Sequence, residues 1–252
     1  MGAENEVTER ARQVADDYRG VFGQEIVSVI LYGSAMTADY VPGKSDLNLM
    51  IVLSEEGINR LHLAHDLVAR WRKKRVGTPL FVTKTYIDSS LDTFPIEFLN
   101  IKRNYLVLQG EDVLAGLSFN KEFVRMQCER ELKGKLLLLR ERYVETGGKR
   151  RILRDLIVAS LPTFIFVFKG LLYILGEEVP VTRSEAISLI VRRFHLDEGL
   201  FRDLQGVGAG TLKLSESEVH ELFRRYLQAV RKLALDMDTK ELSSRCADRQ
   251  CS

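Results

Sequence analysis

The first half of the chain alternates between helical and extended hydrophobic patterns. Apolar residues recur every three or four positions in Glu4–Phe22, which predicts an amphipathic helix. Ile26–Tyr32 and Leu47–Leu53 are short apolar runs between polar segments, and they predict two strands. Further along, the pattern predicts a helix at Glu55–Arg75 and three strands, at Leu80–Ile87, Phe94–Ile101 and Tyr105–Leu108. The predicted fold class of this half is a mixed α/β sheet flanked by helices.

The second half shows only helical periodicity. Arg150–Leu175 predicts a long apolar helix that is kinked at Pro162. Two Ser/Thr-x-x-Glu sequences, at 182–185 and 215–218, predict capped helix starts. The glycines at 206–210 predict a flexible loop between helices. We expect an α/β domain at 1–118, an all-helical bundle at 119–240 that binds a substrate or a partner, and a flexible tail at 241–252.

The chemistry-bearing stretch lies between the first two predicted strands. Gly33 and Ser34 end the first strand, and Asp46 and Asn48 begin the second. Glycine lets the backbone approach a ligand closely, and the amides that follow it favour a phosphate. Residues two apart on a strand share a face, so the Asp46 and Asn48 oxygens together indicate a Mg²⁺ site next to a phosphate.

Composition leaves the predicted fold unchanged and limits the classes of partner and the compartment. The chain has 252 residues, 37 basic and 35 acidic, and its net charge of +2 disfavours a general nucleic-acid binder. The three cysteines form no disulfide or zinc pattern, and the acidic start is no signal peptide, so a cytoplasmic protein is expected. We expect no membrane partner because the most apolar run, 156–168, is too short to span a bilayer.

The Gly-Ser pair followed by Asp-x-Asn resembles the Gly-Ser…Asp-x-Asp motif of the DNA polymerase β-like nucleotidyltransferase superfamily. Its small members and the aminoglycoside nucleotidyltransferases also place an α/β domain before a helical one. The resemblance implies transfer of a nucleoside monophosphate from a nucleoside triphosphate to a hydroxyl, with Mg²⁺ or Mn²⁺ as cofactor. It assigns Gly33 and Ser34 to triphosphate binding and Asp46 to metal binding and catalysis. The acceptor, a small molecule or a protein side chain, is not identified, and a homodimer is left open.

The resemblance also implies a third carboxylate on a later strand. Glu97 is the candidate, because it is the only acid within an otherwise apolar predicted strand; Asp88 and Asp92 are the alternatives, in a predicted turn. We therefore assign the metal to Asp46, Asn48 and Glu97, and catalysis to Asp46 and Glu97. The other interpretation of Glu97 is an edge-strand glutamate that faces water. Lys44 and Ser45, directly before Asp46, are candidate phosphate contacts.

Asn48 stands where the superfamily has its second aspartate. An amide offers a carbonyl oxygen but no net charge, so it weakens the hold on two dications. Three outcomes are open. The protein is an Mg²⁺- or Mn²⁺-dependent nucleotidyltransferase; it binds nucleotide without turnover as a regulatory or partner protein; or it keeps only the scaffold.

Overall fold

A computed structural model describes residues 2–238, and its side chains are described for residues 6–237. The predicted tail at 241–252 therefore lies outside the described residues. The chain divides into two compact units between Phe119 and Asn120. The first is a mixed α/β domain and the second is helical, which confirms the predicted fold class.

A four-stranded mixed sheet forms the centre of the first unit. Its strands are β1 (Ile26–Tyr32), β2 (Asn48–Leu53), β3 (Leu80–Val82) and β4 (Tyr105–Gly110). Their order is β3-β2-β1-β4, with β1 antiparallel to both β2 and β4, and β2 parallel to β3. The first two strands and the last were predicted close to these bounds.

The sheet buries side chains on both of its faces. Along β2, Leu49 and Ile51 join one core cluster, whereas Met50 and Val52 join another, as the alternation of a strand requires. Helix α1 (Gly2–Phe22) covers the first face with Val14 and other fully buried residues. Because both faces are covered, the strands read as continuous apolar runs.

The predicted helix at Glu55–Arg75 is instead broken into three pieces. Ser54 caps the short α2 (Glu55–Ile58), a 3₁₀ turn follows at Leu61–Ala64, and α3 spans His65–Arg72. The interruption follows Gly57 and Asn59, both of which are weaker helix formers than the aliphatic residues around them.

Two predicted strands are largely helical. Only Leu80–Val82 of the segment Leu80–Ile87 is extended, because Thr83 caps α4 (Lys84–Ser89) with its side chain. The predicted strand Phe94–Ile101 is helix α5 (Pro95–Arg103), in which Pro95 occupies the first turn. Short apolar runs do not distinguish a buried helix from a strand, which explains both errors.

The described part of the second unit contains five helices: α6 (Lys121–Glu145), α7 (Arg150–Ile174), α8 (Arg183–Arg193), α9 (Glu198–Ala209) and α10 (Glu216–Asp238). The predicted capping box of α8 is present: Thr182 and Glu185 exchange hydrogen bonds.

The prediction of a flexible loop at 206–210 is wrong. Gly206 and Gly208 lie inside α9, and only Gly210, in the left-handed conformation, ends it.

Helix α7 is the central helix of this unit. By length and composition it is the one described helix that meets the minimum for a membrane span. It nevertheless packs against α6, α8, α9 and α10, and it buries Leu153, Phe164, Leu171 and other apolar residues. This packing is compatible with the core of a soluble protein.

Candidate functional site

The turn after β1 has the backbone conformation that the sequence predicts for Gly33. Gly33 has φ +83°, where residues with a Cβ are strained, and it begins a 3₁₀ turn that extends to Met36. The carbonyl of Ser34 accepts hydrogen bonds from the Thr37 amide at 2.9 Å and the Thr37 hydroxyl at 3.1 Å. The turn is therefore closed by its own hydrogen bonds.

Asn48 is brought directly against this turn. It pairs with Tyr32 across β1 and β2, and a Cβ on Gly33 would lie 3.2 Å from its Nδ2 atom. On its other side, a Cβ on Gly77 would lie 3.1 Å from its Oδ1 atom. The carboxamide thus occupies a slot between two glycines. Burial raises the pKa of the neighbouring Tyr32 hydroxyl.

Asp46 has a cationic partner that was not among the predicted site residues. Its Oδ1 lies 3.7 Å from the Arg75 guanidinium, and both side chains are about half exposed (54% each). The same guanidinium nitrogen donates to the carbonyl oxygen of Lys44 at 3.4 Å. One arginine therefore contacts both the candidate metal ligand and the loop that precedes it.

The backbone holds Arg75 in this position. Its carbonyl accepts the Leu47 amide at 2.9 Å, and the Gly77 amide donates to the Leu47 carbonyl at 2.9 Å. Leu47 forms a parallel bridge with Val76. Arg75 itself has φ +59°, an uncommon conformation for a residue with a Cβ. Residues 75–77 thus extend the β2–β3 pairing to Leu47, between Asp46 and Asn48.

Lys44 and Ser45 form part of a turn whose hydrogen bonds are internal. The amides of both residues donate to the Val41 carbonyl, at 3.0 Å and 2.9 Å, and the Ser45 hydroxyl accepts the Val41 amide at 3.0 Å. The Lys44 side chain is exposed. Ser45 therefore shapes the loop, and Lys44 meets Arg75 through its backbone carbonyl.

Glu97 does not lie on a strand, which corrects its predicted setting. It is in the first turn of α5, half-buried, between the buried residues Ile96 and Phe98. The alternatives are no nearer to a strand, since Asp88 is on α4 and Asp92 lies in the following turn. Neither later strand, Leu80–Val82 or Tyr105–Gly110, contains an aspartate or a glutamate.

This donor set does not fit a site for two dications. Among the described residues, no three His, Cys, Asp or Glu side chains are grouped so that they could hold a metal ion. Asp46 supplies one carboxylate, which already faces Arg75, and Asn48 supplies a neutral oxygen. Two-metal sites need several carboxylates to offset the repulsion between the ions.

A basic run lies next to this site in the sequence of the β2–β3 connection. Residues 72–75, at the end of α3, are Arg-Lys-Lys-Arg, and Lys44 is joined to Arg75 through its carbonyl. Lys74 lies over the Trp71 ring at 4.7 Å, and Arg75 contacts both the Lys44 carbonyl and the Asp46 carboxylate. The guanidinium of Arg75 favours an anionic ligand at this position.

The chain matches no protein-family model and no curated protein. The functional argument therefore rests on the motif, on the fold and on the geometry around Gly33, Asp46, Asn48 and Arg75.

Proposed function

We propose that this protein binds a nucleoside triphosphate on a nucleotidyltransferase-type domain and does not transfer the nucleotide, acting as a regulatory or partner protein. The proposal rests on the residues at positions 46 and 48, where the superfamily motif has its two aspartates. Asp46 faces the cation Arg75, and Asn48 is a neutral amide in a slot between Gly33 and Gly77.

The features that support binding are separate from those that disfavour catalysis. The Gly33 turn places backbone without a side chain next to the start of β2, and Arg75 adds positive charge there. Backbone amides and cations of this kind recognise phosphate oxygens without any metal. In-line transfer, in contrast, depends on dications that neutralise charge on the attacking and leaving oxygens.

Calorimetry and a pyrophosphate assay separate binding from transfer. Each of the four ribonucleoside triphosphates is titrated into the protein, and pyrophosphate release is then followed with Mg²⁺ and with Mn²⁺. We expect saturable one-to-one binding of at least one triphosphate and pyrophosphate release no faster than without protein. An absence of binding to all four would refute the proposal.

Asp46→Ala tests the transferase alternative that the sequence also supports. Asp66→Ala is the matched control, because Asp66 is an exposed acid on the same domain at the start of α3. If the wild type releases pyrophosphate, and Asp46→Ala abolishes that release while Asp66→Ala retains it, the protein is a nucleotidyltransferase and the non-catalytic proposal is overturned.

A further inference from the structure

The charges around Asp46 balance without a metal ion. Arg75 carries one positive charge, Asp46 carries one negative charge, and Asn48 carries none. A second carboxylate at position 48 would leave this group with a net negative charge in the absence of a dication. The amide at position 48 and the arginine at position 75 are therefore complementary features of one site.

The arginine is also placed by the backbone and not merely by its own ion pair. Two hydrogen bonds and a parallel bridge fix residues 75–77 beside Leu47, which lies between Asp46 and Asn48. The guanidinium contacts the Lys44 carbonyl and the Asp46 carboxylate at 3.4 Å and 3.7 Å, both longer than the usual distance of a strong charged hydrogen bond. Half-exposed pairs of this length are weak, so a phosphate oxygen can replace Asp46 as the partner.

We propose that Arg75 is a built-in cation which takes the place of the divalent metal, so that the site binds the polyphosphate of its ligand free of Mg²⁺. This inference rests on the proposed nucleotide-binding function and names what that site recognises: a metal-free polyphosphate chain. A guanidinium suits the role because it is always charged and presents a planar fork of donors to phosphate oxygens.

Binding without metal is the direct test. ATP, inorganic triphosphate and AMP are titrated by calorimetry in EDTA and again in excess Mg²⁺. We expect the two triphosphates to bind in EDTA at least as tightly as in Mg²⁺, and AMP to bind about tenfold more weakly because it has fewer phosphate oxygens. Equal binding of AMP and ATP, or triphosphate binding that requires Mg²⁺, would overturn the inference.

The Arg75→Gly variant removes the guanidinium and keeps the backbone, because glycine readily adopts the φ of +59° found there. We expect triphosphate binding in EDTA to weaken at least about tenfold, and Arg75→Lys to retain part of it, since lysine keeps the charge but not the fork. Arg72→Ala, which removes an exposed cation of the same basic run, should change affinity by less than about threefold. Equal losses in Arg75→Gly and Arg72→Ala would show only a general effect of charge and would overturn the assignment of Arg75.

A metal titration tests the inference independently of any nucleotide. Mn²⁺ binding is measured by paramagnetic resonance in the wild type, in Asn48→Asp and in the double variant Asn48→Asp with Arg75→Gly. We expect the double variant to bind Mn²⁺ at least about tenfold more tightly than the wild type. The affinity of Asn48→Asp should lie between the two, because Arg75 still pairs with the carboxylates. Tight Mn²⁺ binding by the wild type refutes the role of Arg75 even where nucleotide binding is present. If no nucleotide binds but the Mn²⁺ series follows this order, the proposed function fails and the replacement of metal by Arg75 stands.

Discussion

The Gly33 turn can be tested by a set of three glycine-to-alanine substitutions in the first unit. Gly33 and Gly43 both have positive φ, +83° and +74°. An added Cβ would meet Asn48 Nδ2 at 3.2 Å at Gly33, but it meets no heavy atom within 4 Å beyond its own neighbours at Gly43 or at Gly116. The three positions therefore separate backbone strain from the contact with Asn48.

The expected costs follow from these two effects. Left-handed backbone costs a residue with a Cβ about 1–2 kcal/mol, so Gly43→Ala should lower the free energy of unfolding by that amount. Gly33→Ala should cost about 1 kcal/mol more, because the Asn48 amide must also shift by a few tenths of an ångström. Gly116→Ala, which has neither effect, should be neutral or stabilise by about 0.5 kcal/mol through the unfolded chain.

Urea unfolding followed by tryptophan fluorescence measures the stability of the first unit, which contains all three glycines. The chain contains a single tryptophan, Trp71, which is buried in the first unit, so its emission reports that unit's unfolding. Equal costs for Gly33→Ala and Gly43→Ala would show that Asn48 does not lie against Gly33. A cost below about 0.5 kcal/mol for Gly33→Ala would refute the turn itself, because the strain alone exceeds that value.

The remaining predictions concern single side chains. The Tyr226 hydroxyl is fully buried and 3.2 Å from the Ser160 hydroxyl, so Tyr226→Phe should lower the free energy of unfolding by about 1 kcal/mol in urea titrations followed by circular dichroism; no loss would contradict the bond. The buried Tyr18 hydroxyl has no hydrogen-bond partner among the described residues, so Tyr18→Phe should be neutral or stabilising, and a loss above about 1 kcal/mol would reveal a partner. Desolvation raises the pKa of Tyr18 from 10.0 to about 12, so the free energy of unfolding should fall as pH rises through that interval. The fall should be less steep in Tyr18→Phe. Thermal melts of the wild type and the variant at each pH measure the difference. Pro162 lies inside α7 without an amide proton, so Pro162→Ala should raise the melting temperature of the second unit by restoring a donor toward the Val158 carbonyl; a decrease would show that α7 depends on the proline.

The local features of the candidate site were readable in the sequence. The apolar runs at β1 and β2 predicted adjacent strands, and Gly33 between a strand and a polar loop predicted a backbone conformation that glycine tolerates. The Thr182–Glu185 capping box was likewise predicted from its spacing. These features depend on neighbours within a few residues, and a local pattern is therefore enough to indicate them.

Glu97 shows where a local pattern is insufficient. Its segment is apolar on both sides, and such a run is compatible with a buried strand or a buried helix. Pro95 is compatible with the first residues of a strand, but proline is equally favoured in the first turn of a helix, where it occurs in α5. The burial of Phe98 and Ile101 against the sheet decided between the two.

The sequence by itself determined the classes of the two halves, the first two strands, the glycine turn and the replacement of a carboxylate by the Asn48 amide. Only the tertiary structure decided that Arg75 faces Asp46, because the two are 29 positions apart and meet through the parallel pairing of Leu47 with Val76. Pairing of parallel strands across a long connection leaves no periodic signal in either segment. The sequence around Arg75 therefore does not distinguish a solvated charge after a helix end from a residue that pairs beside β2.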